Sequence, residues 1–208
     1  TGRTNGALYY YKIFTQDIRG NWSTGVTPIK TPVSPGNKTV TIGSGNDPVG
    51  GTLLPGGSAT TSDTFTFQTS TSTDYIKSLT ITLATSTASS VSLVEITNDS
   101  GSTIYGSQSN PATDTFTISN DEGLFQATSG PTQYRIRITP KSHANMPAVP
   151  GATYSLTARI TGWVGTNAVQ AGTDLGATTT ILTIDNESPA APTSVTGVKN
   201  TSEQIVIT

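Results

Sequence analysis

Apolar and polar residues alternate in short runs along most of this 208-residue chain, and clusters of turn-forming residues separate the runs. A period of two sends successive side chains to opposite faces of a strand, so each run predicts a strand with one buried face. In Asp63-Thr64-Phe65-Thr66-Phe67 the two aromatic rings share a face. Between Ile76 and Leu83, the side chains of Leu79, Ile81 and Leu83 oppose Thr80 and Thr82. Val91, Leu93 and Glu95 alternate with Val94 and Ile96, which predicts a strand buried on both faces near its middle. Asn98-Asp99-Ser100-Gly101 turns the chain and Thr103-Ile104-Tyr105 returns it, a hairpin signature. Thr115 to Ile118 alternates again, as does Tyr134 to Ile138, where Arg135 and Arg137 must face solvent. Tyr154, Leu156, Ala158 and Ile160, then Thr180 to Ile184, complete the series. Nothing predicts a helix beyond one short turn between Asn120 and Gln126.

From about residue 38 to 184 this spacing predicts roughly eight or nine strands and a β-sandwich. Two proline-marked segments bracket the block: Thr31-Pro32-Val33-Ser34-Pro35-Gly36 before it, and Asp185-Asn186-Glu187-Ser188-Pro189-Ala190-Ala191-Pro192 after it. Proline donates nothing to a sheet ladder and stiffens a connection, so both segments read as interdomain hinges. The expected division is residues 1–30, a central domain over 31–187, and residues 188–208.

The flanking pieces carry a resemblance. Thr4-Asn5-Gly6-Ala7-Leu8-Tyr9-Tyr10-Tyr11-Lys12-Ile13-Phe14, followed by Asp17-Ile18-Arg19-Gly20-Asn21-Trp22-Ser23, resembles the last strands of a bacterial fibronectin type III domain. The resemblance places Tyr9 at the tyrosine corner, where a phenol bonds back to upstream backbone. Arg3 departs from it, standing where that family usually has an apolar residue. Ser188 to Val198 resembles the opening strand of the same family, with Ile205-Val206-Ile207-Thr208 as the second strand. The central block looks like the immunoglobulin-like modules that alternate with such domains in large bacterial surface proteins. The fold expectation is therefore all-β: an immunoglobulin-like β-sandwich flanked by partial fibronectin type III-like modules. Two strands alone are marginal in water, so the partial modules imply either a longer chain or completion between subunits, and head-to-tail completion builds an open filament.

Composition narrows the chemistry. Charged residues are only 12 % of the chain and the net charge is −2, while abundant Val, Ile and Thr favour ordered strands over disorder. No block of Lys or Arg invites nucleic acid or an anionic membrane, and no apolar run approaches the ~18 residues of a membrane-spanning helix. Cysteine is absent, so stability rests on burial and strand pairing. Zinc lacks its usual ligands. His143, the only histidine, sits beside Ser142 in a loop-like segment without a nucleophile-elbow pattern, and reads as a loop histidine. Calcium needs only oxygen ligands, and Asp185, Asn186 and Glu187 at the second hinge are the metal candidates, weighed against ordinary turn chemistry. Asp17 with Asn21, and Asn120-Asp121-Glu122, are further acidic loops. Gly50-Gly51 and Pro55-Gly56-Gly57 read as turns. Arg135, Arg137 and Arg159 are candidates for a basic stripe, against the plainer reading of a solvated face. Tyr9, Tyr10 and Tyr11 offer stacking rings for a glycan, though alternation turns at least part of that run inward.

The functional expectation is non-catalytic and structural: a secreted spacer or subunit of an extracellular filament or cell-surface array, partnered by itself or by neighbouring domains. The alternatives are an adhesion module for glycan or protein, with Tyr10 and Trp22 as contacts, and an accessory domain of a secreted hydrolase.

Overall fold

A computed structural model describes residues 12–25, 38–146, 153–166, 168–176, 182–186, 197–199 and 205–207, the last two segments as backbone only. The central strands are β1 (Thr39–Ser44), β2 (Gly51–Leu53), β3 (Thr60–Thr69), β4 (Asp74–Leu83), β5 (Val91–Asn98), β6 (Ile104–Ser109), β7 (Thr115–Ser119) and β8 (Phe125–Ala127). They continue with β9 (Thr132–Pro140), β10 (Thr153–Leu156), β11 (Ala158–Gly165), β12 (Val169–Gly172) and β13 (Leu182–Asp185). β14 (Gly197–Lys199) and β15 (Ile205–Ile207) follow. Among the described residues there is no α-helix, only single 3-10 turns at Ala88–Ser90 and His143–Asn145.

The chain is all-β and its sheets stack as a sandwich. One sheet has the order β12-β1-β3-β9-β5-β6, and another runs β11-β4-β7 with β8 also on β4. A third, β10-β13-β2, closes one end. Phe65, Phe67, Tyr134, Ile136, Ile138, Val94 and Ile96 from the first sheet meet Ile76, Leu79, Ile81, Phe125, Ile160 and Trp163 from the second in one buried cluster. Phe67 is at its centre, its ring 5.2 Å from Trp163, 5.6 Å from Phe125 and 6.0 Å from Phe65.

The expected hairpin across Asn98–Gly101 is present as β5–β6. β5 is buried on both faces, with Glu95 and Thr97 inside as well as Val94 and Ile96. Register shifts interrupt four of the strand pairings. Between Ser78 and Ile76 the β4–β11 pairing skips Lys77, and this bulge turns Ile76 inward with Leu79 although the two differ in parity. Between Thr61 and Asp63 the β3–β9 pairing skips Ser62. There are also more strands than the alternation implies. β2, β8 and β12 have three or four residues each, too few to show a period, and the run from Tyr154 to Ile160 is divided at Thr157 into β10 and β11. Two pairings are parallel, β1 with β12 and β13 with β2; both join strands far apart in sequence.

The outer face of the second sheet is laddered with threonines. Thr80 meets Thr117 at 3.1 Å between hydroxyls, and Thr82 meets Thr115 at 3.1 Å and Thr161 at 2.9 Å. On either side of the sandwich in sequence stands a small ribbon: Gln16 bridges Trp22, and β14 pairs with β15 as a sheet of its own. Tyr9, the tyrosine corner it was assigned to, and both proline segments lie outside the described residues, apart from Asp185 and Asn186.

Candidate functional site

The most unusual chemistry is a row of three aspartates at one end of the sandwich. The Ser62 bulge fixes the phase of β3, so that Asp63 projects to the same side as Phe65 and Phe67 and is fully buried. The loop after β1 is stapled beside it: the Gly45 N–H donates to the Thr64 carbonyl at 2.8 Å, and the Asn46 N–H to Gln133 Oε1 at 2.8 Å. A Cβ on Gly45 would stand 2.6 Å from Thr64 Oγ1, so only glycine allows this approach. The loop delivers Asp47, whose Oδ1 accepts from the Thr64 N–H at 3.0 Å and the Thr64 hydroxyl at 3.2 Å. From the far end of the chain, the parallel β12 leads into Asp174. Its Oδ2 accepts from the Ile160 N–H at 2.7 Å and its Oδ1 from the Gly176 N–H at 3.0 Å. The Leu175 N–H ties this segment to Ser44 Oγ at 3.0 Å.

Asp63 is the middle of the row, its carboxyl within hydrogen-bonding reach of both Asp174 and Asp47. Unlike its neighbours, it accepts no hydrogen bond from any N–H or hydroxyl on either oxygen. Burial first, then the charges of Asp174 and Asp47, push the Asp63 carboxyl far above the ordinary carboxylate range, to about 9. Asp174 is also raised, chiefly by burial, against the opposing pull of the Ile160 and Gly176 N–H groups. No lysine or arginine pairs with any of the three; the ion pairs among the described residues are Lys38–Asp74 and Arg135–Asp99. Nor does any group of three acidic or imidazole side chains among those residues stand where it could hold a metal ion. Asp174 reaches the wall of a cleft of about 630 Å³, which Ile42, Arg159, Trp163 and Gln170 also line. Asp63 at 0 % and Asp174 at 6 % exposure are closed to a peptide or glycan, while Asp47 is only half-buried. They can exchange a proton or a water.

The residues singled out from sequence fall elsewhere. Asp185 ends β13, exposed and opposite Thr153, while Asn186 is buried and Glu187 lies outside the described residues. Ser142 and His143 are exposed on a 3-10 turn and its approach. Asp17 closes its own turn, with Oδ1 accepting from the Arg19 and Asn21 N–H groups at 2.9 Å each, and the Asn21 amide bonds hold its carboxyl below the usual range. Asn120 to Gly123 makes a non-helical turn before β8. Arg135 and Arg137 lie on β9 and bind the β5–β6 hairpin, through Asp99 at 3.0 Å and the Gly101 carbonyl at 3.1 Å. Arg159 belongs to β11 in the other sheet, so the three make no single stripe. Tyr10 and Tyr11 lie outside the described residues; Trp22 is exposed. The sequence did hold a signal for Asp63. The alternation that puts Phe65 and Phe67 on one face puts an acid on that face too.

Compared with known proteins, the chain matches no protein-family model and shows no significant similarity to a curated protein.

Proposed function

We propose that the chain is a structural spacer or subunit of an extracellular filament or cell-surface array, an immunoglobulin-like sandwich set between partial fibronectin type III-like modules. One observation carries this reading. The N-terminal ribbon leaves Ile13 65 %, Phe14 49 %, Ile18 104 % and Trp22 65 % exposed. A two-stranded ribbon with that much bare apolar surface is marginal in water and gains when another β surface covers it. The cover is a neighbouring β module, of the same chain or of a second copy, docked on the ribbon or completing its sheet. The threonine-laddered face of the second sheet supports the same role, since it suits close lateral contact between modules.

Light scattering and negative-stain microscopy across a concentration series test the proposal. Concentration-dependent oligomers or regular fibres are expected, and the double substitution Ile18→Ser with Trp22→Ser is expected to weaken association about tenfold or more, the equivalent of ~1.4 kcal/mol. A strict monomer up to about 0.1 mM, where even a weak specific contact populates dimers, rejects assembly between copies. The exposed indole of Trp22 also serves the adhesion alternative. Retention on an immobilised glycan, abolished by Trp22→Ala while the oligomeric state is unchanged, would favour that reading instead.

A further inference from the structure

We propose that Asp63 and Asp174 share a proton and so form a clasp, which fastens the segment after β12 to the core strand β3 and releases it when the proton leaves. The clasp is a local device of the sandwich and is independent of the assembly role.

Ionised carboxylates only accept hydrogen bonds, so two of them in contact need a donor between them. The oxygens of Asp63 meet no N–H or hydroxyl. The ion pairs among the described residues lie elsewhere, and no group of three acids stands where it could hold a metal ion. On β9, Ile136 stands opposite Asp63, while Arg135 and Arg137 project to the other face and bind the β5–β6 hairpin. Glu95 of β5 projects to that other face too, opposite Arg137. On β11, Arg159 is exposed in the cleft and makes no ion pair among the described residues. Asp174 and Asp47 are the titratable groups that face Asp63. A proton turns Asp63 itself into the missing donor. Asp174 is ready to accept it, since the Ile160 and Gly176 N–H groups already favour its ionised form.

Losing that proton sets two charges side by side away from water, and the fold decides which side yields. β3 lies inside the six-stranded sheet, paired on both edges. Asp174 follows β12, an edge strand of four residues that pairs with β1. Its segment turns at Gly172 and Gly176, with φ of +75° and +69°, and Leu175 between them is 65 % exposed. Swinging Asp174 into water gives up its bond to the Ile160 N–H and opens the cleft that it lines with Trp163. Burial and the neighbouring charges keep the proton on Asp63 up to about 9. The clasp is therefore closed through neutral pH and opens as pH rises past that value.

The test is acrylamide quenching of Trp163 in a Trp22→Phe parent, where it is the remaining tryptophan. Trp163 is 9 % exposed when the cleft is closed. Between about pH 7 and about pH 9.5 the quenching constant is expected to rise about twofold while far-UV dichroism holds, the mark of a local opening. Asp63→Asn places an amide donor between the flanking carboxylates at every pH, so its quenching should stay low throughout. Asp174→Asn removes one charge of the pair and should also stay low, which keeps the test alive if the first variant folds poorly. Asp99→Asn, a surface acid, should rise like the parent. A parent constant that stays flat across this range would overturn the proposal. An equal rise in the Asp63→Asn and Asp174→Asn variants would overturn it too. So would a loss of dichroism alongside the quenching, because the proton would then hold the whole fold and not one segment.

Discussion

Phe67 and Asp63 lie four residues apart on the same side of β3, and they show how differently one buried face can treat its residues. Phe67 touches the rings of Phe65, Phe125, Tyr134 and Trp163, so Phe67→Ala opens a cavity bounded by both sheets. Urea unfolding is expected to show a loss of about 3–5 kcal/mol. Asp63 reports its burial through pH. Its carboxyl holds a proton up to about 9 in the fold, against about 3.9 for the unfolded chain. Between those values the folded state binds more protons, so stability falls as pH rises; the contribution is full below about 4 and gone above about 9. The thermal midpoint is expected to decline from pH 5 to 9.5, and Asp63→Asn should flatten the decline, with a remainder from Asp174, which is raised for the same main reason. The aromatic part of this face was legible in the sequence, because period two singles out Phe65 and Phe67. The acid was equally in phase, but an aspartate beside Ser62 and Thr64 reads as strand-end polarity. Only the contacts made by Asp47 and Asp174, brought in by other segments, reveal it as interior.

At the scale of elements, the pattern foretold the long strands and missed the devices that join them. Leu79, Ile81 and Leu83 face inward as their alternation implies, yet nothing local announces that Lys77 is skipped, that β10 and β11 divide at Thr157, or that β12 runs parallel to β1. Parallel pairing carries no turn signature, because the strands it joins meet through a long detour of chain. One such joining device is Asp114, half-buried ahead of β7. Its Oδ2 accepts from the Ser86 N–H at 2.6 Å, and its Oδ1 from those of Thr87 at 3.1 Å and Ala88 at 2.9 Å. It thereby shapes the turn that carries β4 into β5. Asp114→Ala removes the acceptor of three N–H groups, of which that of Thr87 keeps the Ala84 carbonyl at 3.2 Å and that of Ser86 faces solvent, and is expected to cost about 1–3 kcal/mol by chemical denaturation. Asp99→Ala removes an exposed ion pair with Arg135 and is expected to cost under about 1 kcal/mol.

For the molecule as a whole, the shared cluster between the sheets predicts that the sandwich melts as one unit. Trp163 is buried within it, so in a Trp22→Phe background its fluorescence should follow far-UV dichroism through a single urea transition; two resolved transitions would show that the sheets part independently. The acid row belongs to a scale that alternation cannot reach, since Asp47 and Asp63 come from near the start of the central block and Asp174 from near its end. The threonine ladder on the second sheet has its own large-scale consequence. Hydroxyls present almost nothing for dissolved ions to screen, so whatever the ladder itself contributes to a contact would hold about as well in brine as in fresh water.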